Sequence, residues 1–218
     1  MQKDDSAAAL AALNEFCERY RPAVYNFFLQ HGSEVERAKD LTQEFFANRI
    51  LKRWENRSGF VFTANRSKGK FRSFLSHVLW QFLKDEWTSQ NTAKAGGGVP
   101  HSTLDGLELT DESGGEAAFK KFGSEFDRVF AVEIIQRAAE RSPHSKYLVA
   151  HLKGEISQRD AGTELGLSEE AFKAAYNRFK DRVALNLRDE VSKLVGPDER
   201  EIRAEIEYLI RLFGEGPA

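Results

Sequence analysis

Gln158-Arg159-Asp160-Ala161-Gly162-Thr163-Glu164-Leu165-Gly166-Leu167-Ser168, continued by Glu169-Glu170-Ala171-Phe172-Lys173-Ala174-Ala175, is the stretch whose reading decides the fold. It predicts two short helices crossing at a tight turn. Small side chains at Ala161 and Gly162 let the helices approach closely, while Leu165, Leu167 and Phe172 seal their contact. Gly166 suits the positive φ that such a turn needs. Ser168 reads as the N-cap of the second helix, and Glu169 and Glu170 complement the positive end of its dipole. This is the pattern of a DNA-binding helix-turn-helix, and patterns of this kind also arise in helical proteins that never touch DNA, so both readings stand at this point.

The second helix of the pair carries Lys173, Asn177, Arg178, Lys180 and Arg182, mostly on its outward side. Arginine can bond a guanine edge bidentately and asparagine an adenine edge, whereas lysine more often holds phosphate. Ala174 offers no hydrogen bond and could add only an apolar contact, such as one to a thymine methyl. The competing explanation is a solvated face, since exposed helices are commonly rich in Lys and Arg.

Working outward, the rest of the chain also reads as helix. Leu10, Leu13, Cys17, Tyr20, Val24 and Phe27 recur at three- and four-residue spacing, one amphipathic stripe. Gly32 and Ser33 break it, and Ser33 is a candidate N-cap for a second helix with Val35, Ala38, Leu41, Phe45 and Leu51 as its buried stripe. A third, over residues 71–88, would bury Phe71, Phe74, Leu75, Val78, Leu79 and Phe82, completing a three-helix domain. Alternating residues never persist long enough to argue for a sheet. The composition changes between residues 90 and 123, where Gly96-Gly97-Gly98, Pro100 and Gly114-Gly115 mark a flexible spacer in which acids outnumber bases. Phe126, Val129, Phe130 and Ile134 then start a second helical domain, and Pro143 ends or kinks that helix. Pro197-Asp198-Glu199 opens a last amphipathic helix through Ile202, Ile206, Leu209 and Phe213, expected to pack back on the second domain. The expected class is all-α: two small helical domains, 1–90 and 124–195, a linker over 91–123 and a helical extension over 196–218.

Composition bounds the function. The 218 residues carry a formal net charge of −2, which argues against bulk nucleic-acid binding, but the charges are sorted along the chain. Residues 49–72 hold Arg49, Lys52, Arg53, Arg57, Arg66, Lys68, Lys70 and Arg72 against the single acid Glu55. Such a stripe neutralises phosphates. Trp54, Phe60, Phe62, Trp80 and Trp87 are interleaved nearby, and proteins that hold unstacked bases use basic grooves and aromatic platforms together. For Phe60 and Phe62 a core role is as consistent with the sequence. The lone cysteine, Cys17, excludes a disulfide framework and a cysteine zinc site, and fits a reducing cytoplasm. His31, His77, His101, His144 and His151 are scattered without metal-ligand spacing, and no phosphate-cradling glycine motif precedes a helix-borne Lys-Ser/Thr. We therefore expect no metal, no cofactor and no enzymatic activity. Without a signal peptide or membrane-length apolar run, the expected location is cytoplasmic, with no membrane partner.

Asp40-Leu41-Thr42-Gln43-Glu44-Phe45-Phe46, followed by Lys70-Phe71-Arg72-Ser73-Phe74-Leu75, resembles the signature of sigma-70 family transcription factors of the small extracytoplasmic-function class. With the helix-turn-helix stretch, the resemblance covers most of the chain. It implies a sigma-2-like bundle and a sigma-4-like helix-turn-helix domain, with core RNA polymerase and promoter DNA as partners. Arg37, Lys39, Asp40, Gln43 and Glu44 would then lie on the polymerase-docking face. Trp80, Gln81 and Lys84 match the promoter-facing side of the third helix, and the loop holding Arg57, Arg66 and Lys68 matches the one that receives a flipped base. Lys173, Ala174 and Arg178 match positions that approach the upstream promoter element, and the acidic linker matches one that threads the polymerase cleft.

The departure from the family lies just before Leu41. Where relatives carry acid-Ala-acid-Asp, this chain reads Arg37-Ala38-Lys39-Asp40. Like charge at a docking site disfavours association, so negative charge must come from elsewhere. Sigma factors lacking the acidic motif include a group controlled by serine/threonine kinases. The resemblance thus points to Thr63, set among Arg57, Arg66, Lys68 and Lys70, as a phosphorylation site. Sequence physics alone does not choose it over Ser58 and Ser67. Two functions follow: an alternative sigma factor, or a stand-alone helix-turn-helix regulator whose N-terminal bundle senses or dimerises.

Overall fold

The computed structural model describes residues 2–52, 71–95, 115–152 and 154–214. All regular structure among them is helical: α1 (Gln2–Gln30), α2 (Val35–Phe45) with a π-helical turn at Phe46–Leu51, α3 (Phe71–Ala95), α4 (Gly115–Glu140), α5 (Ser145–Leu152), α6 (Gln158–Glu164), α7 (Glu169–Val195) and α8 (Glu199–Gly214). Two compact units divide the chain, Met1–Phe130 and Ala131–Ala218. No helix among the described residues is long and apolar enough to cross a membrane.

In the first unit the expected stripe of α1 is inside: Leu13, Cys17, Tyr20, Val24 and Phe27 are buried. Burial pushes the Cys17 thiol up to about 11, so it packs as an apolar group and holds little thiolate. Helix α2 buries Ala38, Leu41 and Phe45 as expected, but Val35 is 51% exposed. The π-helical turn is the cause of a second difference. Its extra residue per turn shifts the buried register, so Phe46 and Ile50 enter the core and Leu51 stays half-buried. Helix α3 contributes Leu75, Val78, Leu79 and Phe82, with Phe82 placed edge-on to Phe28 and Phe45.

The boundary between units differs from the sequence expectation. Residues 91–95 and 115–123, read as linker, are helical, and 115–130 belong to the first unit. The reason is apolar burial. Phe122 and Phe126 pack edge-on against Phe27, and Phe130 stacks on Tyr20 at 5.0 Å. Arg72 Nε donates to Asp127 Oδ1 at 2.5 Å, a nearly buried pair joining α3 to α4. The first unit is thus built from four helical segments rather than three.

In the second unit, Ala139, Leu148, Ala161, Phe172 and Phe179 form the core, with Ile156, Leu165, Leu167 and Tyr176 packed on it. Pro143 follows the end of α4 at Glu140. Helix α8 lies against α7 and buries Ile202, Leu209 and Leu212. The Asp198 carboxylate caps it by accepting from the Arg200 and Glu201 amides at 2.8 and 3.1 Å.

Candidate functional site

The second unit holds the first candidate surface. Ser157 caps α6, its hydroxyl accepting from the Asp160 amide at 3.1 Å. Gly166 takes φ +64°, and the turn closes when the Leu167 amide donates to the Gly162 carbonyl at 2.8 Å. Ser168 then caps α7 by accepting from the Ala171 amide. A methyl group on Gly162 would stand 3.3 Å from the Leu167 carbonyl and 3.6 Å from Phe172 Cβ, so the close approach read from the sequence is present. The pair is therefore fixed at both caps, at the turn and at its crossing.

This frame leaves Lys173, Ala174, Asn177, Arg178, Lys180 and Arg182 exposed. At three- and four-residue spacing, Lys173, Asn177 and Arg178 share a side of α7 with Ala174. The Lys180 ammonium lies 5.1 Å from the centroid of the Tyr176 ring. No carboxylate among the described residues pairs with Lys173, Arg178, Lys180 or Arg182. Lower on the same helix the picture reverses. Arg141 donates to Asp189 at 2.9 Å and to Glu190 at 3.2 Å, and Arg188 donates to Glu199. Cations at the foot of α7 are spent on the fold, and those near its start are available to an anion.

The first unit holds the second surface, and here the expected residues separate. Lys39, Asp40 and Gln43 are exposed on α2. Arg37 and Glu44 are half-buried, and Arg37 Nη2 donates to Glu86 Oε2 on α3 at 3.1 Å. Burial, then the nearby Glu44 carboxylate, raises the proton affinity of Glu86, against the pull of Arg37. Lys39 Nζ donates to Glu36 Oε1 at 2.7 Å, and this bond holds its ammonium above the ordinary range. Glu86 and its neighbour Asp85 were not found by sequence reasoning. Arg37 and Glu86 stand 49 residues apart, and no local spacing signals such a pair.

The set on α3 that the resemblance places toward promoter DNA, Trp80, Gln81 and Lys84, is only partly a surface. Gln81 is exposed and Lys84 half-buried. Trp80 is 7% exposed, with its ring 5.0 Å from Phe122 and 6.3 Å from Phe119, which corrects its placement on the outside. The basic stripe over 49–72 is corrected at both ends as well. Arg49 Nη2 donates to Asp85 Oδ2, and Arg72 is buried against Asp127. Lys52 is exposed. Arg57, Thr63, Arg66 and Lys68 lie outside the described residues. No protein-family model, curated protein or solved structure matches this chain.

Proposed function

We propose that this chain is an alternative sigma factor that docks on core RNA polymerase through α2 and reads duplex promoter DNA with α7. The observation that carries the reading is the exposed edge of Lys173, Asn177 and Arg178, without carboxylate partners among the described residues, on a helix fixed by the α6–turn–α7 frame. Phosphate-holding and base-reading residue types stand side by side there. On α2 the exposed Asp40 and Gln43 belong to the motif Asp40-Leu41-Thr42-Gln43-Glu44, which supports a polymerase contact.

The test is a pull-down with core RNA polymerase followed by run-off transcription. Retention by the polymerase, weakened in Asp40→Ala with an unchanged helical spectrum, supports the reading. Binding of an operator duplex by the chain alone, with no retention, would make it a stand-alone regulator instead. Phosphorylation of Thr63 is part of the proposal, since a phosphothreonine adds about −1.5 to −2 charges among Arg57, Arg66 and Lys68. If Thr63→Ala transcribes as well as kinase-treated wild type, that switch is absent.

A further inference from the structure

Two arginines from α2 and its π-helical turn reach two adjacent carboxylates on α3. Arg37, near the start of α2, donates to Glu86, and Arg49, in the π-helical turn, donates to Asp85. Phe82, one turn earlier on α3, packs edge-on to Phe45, and the Arg49 guanidinium lies 5.7 Å from its ring centroid. Along α2 the two polar clasps lie on either side of Phe45, while on α3 both carboxylates follow Phe82 within about one helical turn. Glu44 stands close enough to Glu86 that a second carboxylate is already present, and Arg37, with a smaller contribution from Arg49, offsets it.

Lys39 is placed differently. Its side chain is 56% exposed against 32% for Arg37, and its partner Glu36 is on the same helix, three residues earlier. Such a pair ties no second element and is worth little in water. The two cations that stand where an acidic motif is expected thus serve different ends.

We propose that Arg37 is a positioning residue that fixes α2 on α3 through Glu86, and that Lys39 is the cation that lowers affinity of the docking face for core RNA polymerase. The second half rests on the docking reading above; the first does not. An arginine engaged with Glu86 presents little net charge to a partner, whereas a lysine on the outer face meets any basic surface head-on.

The full-length chain tests both halves with Arg37→Ala, Arg37→Glu, Glu86→Arg, the double swap and Lys39→Glu. Thermal unfolding and hydrogen exchange of α2 report the clasp; retention by core polymerase reports docking. Arg37→Glu adds a third carboxylate beside Glu44 and Glu86, so the unfolding midpoint falls and α2 exchanges faster. The swap should recover most of both and bring polymerase retention back to the wild-type level. Lys39→Glu should leave the midpoint unchanged and raise retention severalfold. A swap no more stable than either single variant overturns the positioning role. Retention that rises in Arg37→Ala but not in Lys39→Glu overturns the division of labour. If polymerase retains no form of the chain, wild type included, the docking reading fails with the Lys39 half, and the swap still decides Arg37.

Discussion

The indole of Trp80 on α3 lies 5.0 Å from the ring of Phe122 on α4, and Phe122 in turn meets Phe27 of α1 at 4.9 Å. Three helices converge on one phenylalanine that is 1% exposed. Phe122→Ala should destabilise the first unit by about 3–5 kcal/mol, the cost of a lost aromatic transfer term plus a cavity. Urea unfolding followed by Trp fluorescence checks it. A loss below about 1 kcal/mol would place residues 115–130 outside the cooperative core.

At the helix crossing, Gly162 sets the distance between α6 and α7. The nearest atom to an added methyl is the Leu167 carbonyl, part of a turn held by the hydrogen bond that the Leu167 amide donates to the Gly162 carbonyl and followed by the Ser168 cap. Alanine gains roughly 0.5–1 kcal/mol in a helix, while overpacking costs about 1–3 kcal/mol. Gly162→Ala should therefore lose about 1 kcal/mol net, and Gly162→Val more, in chemical denaturation.

Much of this fold was legible because it is written in short-range spacing. The stripe Leu13, Cys17, Tyr20, Val24, Phe27 and the turn at Gly166 needed only three- and four-residue periodicity and a positive φ. What escaped is long-range or register-dependent. The π-helical turn exchanged Leu51 for Ile50 in the core, and a 3.6-residue period cannot foresee an inserted residue. Gly114 and Gly115 made the following residues read as spacer, although Phe122 and Phe126 already carried a helical stripe. Trp80 read as a base platform because aromatic and basic residues alternate around it. Its burial depends on α4, more than thirty positions away. The α7 surface was legible because its caps and cations lie on one helix.

The foot of α7 should govern acid sensitivity of the second unit. Hydrogen bonds from Lys193 and Arg141 hold the Asp189 carboxyl below its ordinary value of 3.8. A depressed folded pKa gives stability that is present above the unfolded value and lost as pH falls through the folded one. Asp189→Asn should be less stable than wild type at neutral pH, and the two curves should converge at pH values below 3.8. Glu86 in the first unit has the opposite sign: its raised pKa favours folding below 4.5, and that contribution is lost as pH rises through the folded value. Urea midpoints of Asp189→Asn and wild type measured across pH check the first. Parallel curves would show that Asp189 has no linked proton.

Arg178 and Lys180 both sit exposed on α7, and they should fail differently when removed. Arg178 stands one turn after Ala174 and beside Asn177 on α7, and its planar fork matches a guanine edge. If α7 reads promoter DNA as proposed, Arg178→Ala should cost about 1–3 kcal/mol on the preferred sequence and relax selection at one base position. Lys180 carries a point charge beside the Tyr176 ring, and a phosphate contact is the role that fits it. Lys180→Ala should weaken binding to every sequence alike and shallow the slope of log affinity against log salt by about 1. Selection from a randomised duplex library, run with polymerase holoenzyme at two salt concentrations, separates the two. Identical sequence profiles for wild type and Arg178→Ala would show that this arginine holds backbone rather than base, and a sequence-dependent loss in Lys180→Ala would exchange their roles.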